Sequence, residues 1–205
     1  MPAPTFVSSG ATVSGTASVS AAWGAGHQAG DIGLLVIETG GNGSTLTPSG
    51  WAHVPGSPVV DVASAAGSKL HVLWRRAVSG AEANVPTGDS GDHQVAKLFV
   101  FKGCKAGDPW DVVQAGIKAT ASATATLPAV TTTVADTLVA LICGRPNDSN
   151  SNTHFGLAVN ANLSDLGDAG EAGSTAGRRQ GRSLALPKAR SRYVQPGSHY
   201  HELRR

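Results

Sequence analysis

Charged side chains are scarce: Asp, Glu, Lys and Arg together make up 15% of the 205 residues. A helical bundle needs stretches rich in Glu, Lys and Leu, so the composition argues against that class. Cysteine is nearly missing too, with only Cys104 and Cys143, too few for a disulfide scaffold. Each ends an expected strand, so a bridge is geometrically conceivable, but two separate buried thiols is the simpler reading. Long hydrophobic runs are also lacking. The longest, such as Thr137–Cys143, fall far short of the roughly 20 apolar residues that a membrane-spanning helix requires. The opening Met-Pro-Ala-Pro-Thr-Phe-Val has neither the basic nor the apolar region of a secretory signal. Synthesis in the cytoplasm, without export by that route, is the expectation.

What the chain does have is small residues, with 26 glycines among many alanines, serines and threonines, and 40% hydrophobic residues. That apolar content is enough for a core, so global disorder is not expected. The net charge of +2 hides an asymmetry. Residues 1–177 carry 8 Lys/Arg against 13 Asp/Glu, a net −5, whereas residues 178–205 carry 8 Lys/Arg against Glu202 alone, a net +7. The body therefore has no electrostatic footprint for nucleic acid; only the tail does.

Short apolar or alternating runs punctuated by Gly, Pro, Asn and Asp recur along the chain. Expected strands are Thr5–Val7, Ala11–Val19, Leu34–Glu38, Ala52–Val54, Lys69–Arg76, Val95–Lys102, a Thr/Ala/Ser ladder over Ala119–Thr133, Thr137–Cys143 and, more weakly, Phe155–Val159. Leu34–Glu38 is nearly continuous in apolar residues, as a strand buried on both faces would be. No long run has a 3.6-residue period. The spacing predicts an all-β chain: an antiparallel β-sandwich, jelly-roll-like, of about eight to ten short strands. Residues 1–177 form that domain. Residues 178–205 form a basic, irregular C-terminal tail, extended or disordered, with few periodic apolar positions.

Several pieces fall in a set order: Gly30-Asp31-Ile32-Gly33-Leu34-Leu35, Pro48-Ser49-Gly50-Trp51, Leu73-Trp74-Arg75-Arg76-Ala77, Phe99-Val100-Phe101-Lys102-Gly103, Pro109-Trp110-Asp111 and Ala135-Asp136-Thr137-Leu138-Val139. Over Pro4 to Ser174 this order resembles a family of β-sandwich proteins of tailed phages and prophages, tail- or virion-associated. The resemblance implies a particle subunit made in the bacterial host cytoplasm, whose partners are other virion proteins and further copies of itself. Members of this pattern continue with a glycine-rich segment and another apolar strand. Here Arg178-Arg179-Gln180-Gly181-Arg182 stands in that place, as if the reading frame or the evolutionary source switched near Gly177.

Each piece also has a physical reading. Gly30-Asp31 suits a tight turn in which the carboxylate accepts from nearby amides. Pro48 and Gly50 set a bend that delivers Trp51 inward. Trp51, Trp74 and Trp110 are thus core or sub-core residues first. They are candidate ligand-binding residues only where a ring face stays open, as for a surface glycan. Arg178, Arg179, Arg182, Lys188, Arg190 and Arg192 are the candidate polyanion-binding set in the tail, with a disordered end as the simpler reading.

No catalytic, cofactor or metal residues are assigned. Gly-x-Ser-x-Gly, the phosphate-loop pattern and His-Glu-x-x-His are all missing from the sequence. His199 and His201 flank Tyr200 in the tail, a poor metal cage. Thr87-Gly88-Asp89-Ser90-Gly91-Asp92-His93 offers oxygens to calcium, but its spacing suits an ordinary turn better. The expected function is a non-catalytic virion structural protein, of the tail or the capsid surface. The alternative is a carbohydrate-binding, receptor-recognition module of the sandwich type.

Overall fold

The computed structural model describes residues 2–40, 43–60, 68–91, 93–117, 128–145, 163–165 and 180–187. They contain twelve strands and no helix: β1 (Thr5–Ser9), β2 (Val13–Gly15), β3 (Ser20–Ala21), β4 (Ile32–Gly40), β5 (Ala52–His53), β6 (Val59–Val60), β7 (Ser68–Arg76), β8 (Val85–Pro86), β9 (Gln94–Lys102), β10 (Leu141–Arg145), β11 (Leu163–Asp165) and β12 (Gln180–Pro187). Every pairing among them is antiparallel. The chain is all-β.

The main sheet runs β1-β9-β4-β7-β5, with β2 also on β9 and β6 also on β7. Its centre is β4, every residue of which is buried. The continuous apolar run Ile32–Ile37 suits that position, because a strand flanked and covered on all sides has no solvent face to keep polar. Register sets the two faces. Leu35 lies opposite Leu73 and Leu98, and Leu34 lies opposite Trp74 and Phe99. On the first face Leu35, Ile37, Leu73, Leu98 and Val100 pack with Trp23, Leu46 and Trp51 from the loops and Val85 of β8. On the second, Leu34, Val36, Phe99 and Phe101 pack against Phe6, Trp74, Trp110, Leu138 and Ile142. Full burial of each Leu or Ile contributes about 1.5–3 kcal/mol, so these two clusters hold the sheet together.

Each edge is a pair of short strands in series. β1 runs along Phe99–Lys102 and β2 along Gln94–Ala96, with a bulge between Phe6 and Ser8. On the other edge β5 covers Leu73–Trp74 and β6 covers Lys69–Leu70. Between them the Val54 amide donates to Val72 O at 2.9 Å and the Val72 amide donates to Ser57 Oγ at 2.8 Å. The ladder therefore continues through a side chain.

Two buried polar ties hold the loops. The Gln94 amide donates to Ala17 O (2.6 Å) and Gly88 O (2.8 Å) and accepts from Thr87 Oγ1 (2.7 Å). The Gly30-Asp31 turn forms as expected, with Gly30 at φ +94° and Asp31 Oδ2 accepting from the Gln28 amide at 2.9 Å.

Several expectations change in detail. Of Ala11–Val19 only β2 is strand, because the Gln94 and Thr87 bonds to Ala17 and Val19 draw the chain off the edge of β9. Within the Ala119–Thr133 ladder, 119–127 lies outside the described residues and 128–133 is not strand; the Thr133 amide is taken by the Asp111 carboxylate instead. Thr137–Cys143 becomes strand only from Leu141, after Asp136 adopts φ 57° and Thr137 Oγ1 donates to Val134 O. Phe155–Val159 lies outside the described residues. Cys104 and Cys143 are not joined in a disulfide. Part of the segment expected as an irregular tail is β12, whose Leu184-Ala185-Leu186 supplies the apolar stretch of a strand, paired on both sides with β10 and β11. Gly144 of β10 lies over Leu70 and Glu38 on the second face, close enough that a Cβ there would meet Leu70 Cδ1 at 3.3 Å.

Candidate functional site

The three tryptophans singled out by sequence divide between the two faces. Pro48 and Gly50 turn the chain into Trp51: the Trp51 amide donates to Pro48 O at 3.1 Å with Gly50 at φ +77°. Trp51 is 6% exposed and Trp23 7%, with ring centroids 5.7 Å apart. Both rings rest on Gly33. The Arg75 guanidinium lies 5.6 Å from the Trp23 ring and 5.8 Å from that of Trp51, near enough for cation–π attraction. A ring this covered offers no platform to a sugar.

Arg75 also pairs with Glu82. Glu82 Oε1 accepts from the amides of Val78 (2.6 Å) and Ser79 (3.1 Å). Burial pushes the Glu82 carboxyl up, but those two amides and the guanidinium outweigh it and hold the group below the usual carboxylate range. The Glu82 amide donates to His27 Nε2 at 3.1 Å, so the His27 proton is on Nδ1, which donates to Gly24 O at 2.8 Å. Trp23, His27, Arg75 and Glu82 thus clamp the 24–27 and 78–82 loops to the sheet. Sequence reading missed this cluster. Trp23 sits among glycines and alanines, and the Arg75–Glu82 spacing of seven carries no motif.

Trp74 and Trp110 do come together, on the second face. Their rings meet edge to face with centroids 6.0 Å apart, and both are half-buried. Trp110 is held by its own surroundings: its amide donates to Asp108 Oδ1 (3.1 Å), and its carbonyl accepts from Lys105 Nζ (3.1 Å). Its indole Nε1 is buried without a partner. Phe6, Val113 and Leu138 complete a half-buried apolar rim around Phe99 and Phe101. Cys104 packs in the same cluster, where burial pushes its thiol up.

A third group lies at the β5–β7 edge. His71 is fully buried, and neither ring nitrogen has a hydrogen-bond partner. Its ring centroid is 5.9 Å from that of His53. His53 Nδ1 bonds Ser57 Oγ and Nε2 bonds Thr47 Oγ1, both at 3.0 Å. Burial, reinforced by His53 and Lys69, holds His71 down to about 3. His53 is also lowered by burial, against a hydrogen bond with the Leu46 backbone.

In the Thr87–His93 loop, Asp89 Oδ1 accepts from the Gly91 amide at 2.8 Å, the geometry of an Asx turn; Asp92 lies outside the described residues. Of the tail set, Arg182 lies on β12, while Arg178, Arg179, Lys188, Arg190 and Arg192 lie outside the described residues, as do His199 and His201. Among the described residues no helix is long and apolar enough to cross a membrane. No family model, curated protein or solved structure matches the chain.

Proposed function

We propose that this chain is a non-catalytic assembly subunit of a phage particle, from the tail or the capsid surface. Its sheets would form a jelly-roll-like sandwich, and it would work by docking to copies of itself and to other virion proteins. The observation that carries the reading is the half-buried rim of the second face, where Phe6, Trp74, Trp110, Val113 and Leu138 surround the buried Phe99 and Phe101. Aromatic side chains around a buried apolar centre are what protein interfaces concentrate. The motifs behind the phage resemblance also have structural work to do: the Gly30-Asp31 turn, the Trp51 bend and the Trp74–Arg76 strand all position this sheet.

Light scattering on the size-exclusion peak tests the proposal. Self-association that rises with concentration is expected, and Trp110→Ala should weaken it at least about tenfold if Trp110 is a hot spot. A strict monomer without affinity for particle proteins would overturn the reading.

One observation favours a second reading, glycan recognition. Trp74 and Trp110 are half-buried rather than fully covered, unlike Trp23 and Trp51. A glycan array gives the decision: binding lost in Trp110→Ala supports this reading, and an array without hits ends it.

A further inference from the structure

The first face of β7 carries Lys69, His71, Leu73 and Arg75 in alternate positions, an unusual row of basic groups for a buried surface. Arg75 is answered by Glu82, and Lys69 donates to Gly43 O. His71, between them, is the one without a partner. From β5 it faces His53. From β7 itself it faces Lys69, and Arg75 beyond Leu73. Its β4 and β9 register partners are Ile37 and Ala96, flanked on the same face by Thr39 and Gln94, none of which is ionisable. Glu38 belongs to the opposite face by strand alternation. Among the described residues, the titratable groups that bear on the imidazole are thus His53 and Lys69, and both oppose a positive charge.

The segment over this histidine is also the weakest attachment in the sheet. β5 and β6 together make four residue pairs with β7, whereas β4 makes nine along its other side. Besides those pairs, the segment is hydrogen-bonded to β7 through Val54–Val72 and the Ser57 hydroxyl, which His53 also bonds. Val54 packs in the second-face core, and His53 bonds Thr47.

We propose that His71 is the trigger of an acid-sensitive latch, whose protonation lifts the 52–60 edge segment off β7 while the β9–β4–β7 centre stays folded. A proton taken from solvent onto the buried ring creates a charge with no acceptor, beside one lysine and a second imidazole. Moving β5 and β6 outward admits water to the ring and separates it from His53. The sign follows from the two forms. With the latch closed the ring stays neutral down to about pH 3, and once hydrated it regains its ordinary value of 6.5. Closure is therefore fully favoured above pH 6.5 and weakens as pH falls from there towards about 3.

Hydrogen exchange of the full chain, followed by mass spectrometry at about pH 7 and about pH 4.5 and corrected for intrinsic rates, tests this. Peptides over 52–60 should open about a hundredfold more readily at the lower pH, tenfold per unit below 6.5. Peptides over 94–102 should keep their protection, and His71→Phe should abolish the difference. The proposal falls if 52–60 is equally protected at both pH values, if 94–102 opens in step with it, or if His71→Phe still shows the loss. Should His71→Phe fail to fold, NMR of the wild-type His71 ring decides: its titration must coincide with the loss of 52–60 protection, and titration without that loss overturns the latch.

Discussion

Gly33 sits on the central strand beneath two indoles, and the aromatic cluster depends on the hydrogen at its Cα. A methyl group there would collide with the Trp23 ring and meet Trp51 Cη2 at 3.0 Å. Strand backbone and two packed loops leave little room to yield, so Gly33→Ala is expected to destabilise by about 1–3 kcal/mol. The readout is the urea midpoint, with tryptophan fluorescence reporting the displaced rings; an unchanged midpoint would show that the loops relax freely. Sequence alone indicated that Trp51 turns inward, because Pro48 and Gly50 impose the bend locally. It did not disclose Trp23, Arg75 or Glu82 as partners, since that meeting is made by strand register and loop return rather than by any local pattern. His71 was hidden for the same reason: its neighbour His53 is brought by a strand only two residues long.

The long strands β4, β7 and β9 were legible because alternation or a continuous apolar run marks each of them, even in β7, where Ser68, Lys69, His71, Arg75 and Arg76 are polar. The shorter elements were not, since two or three residues carry no period. β12 was masked by its arginine-rich flanks. The segment after β9 illustrates how side chains, not propensity, decide such regions. The Asp111 carboxylate accepts from the Thr133 amide at 2.8 Å and from its hydroxyl, tying 109–111 to 128–140. The hydroxyl bond chiefly holds Asp111 below the usual carboxylate range; desolvation opposes it, while the Thr133 and Val134 amides and Lys105 assist. A depressed value means the tie is complete above the ordinary 3.8 and is lost as pH falls through the lower, folded value. Asp111→Asn should reproduce that loss at neutral pH, raising Thr133 amide exchange about threefold, as befits an exposed contact.

The charge of the whole molecule is divided between a body of −5 and a C-terminal segment of +7, yet β12 links the two, because it is the middle strand of the β10-β12-β11 sheet. Removing residues 178–205 should therefore do two things at once. Retention on heparin should drop and lose its salt dependence. The body should also lose about 2 kcal/mol or more as the ladders of β10 and β11 are left unmade, seen as a lower urea midpoint. Heparin retention lost with an unchanged midpoint would assign the segment to charge alone. The serial edge strands have a further consequence. Because β1 and β2, and likewise β5 and β6, interrupt each border of the main sheet, neither border presents a long straight row of free amides and carbonyls to another chain. Such rows are what runaway strand-on-strand stacking requires, and native sheets suppress it by short, bulged borders of this kind. This architecture favours finite assemblies through faces over fibres through edges. It also makes the 52–60 segment a guard: wherever it lifts, nine residues of β7 become a template for aggregation.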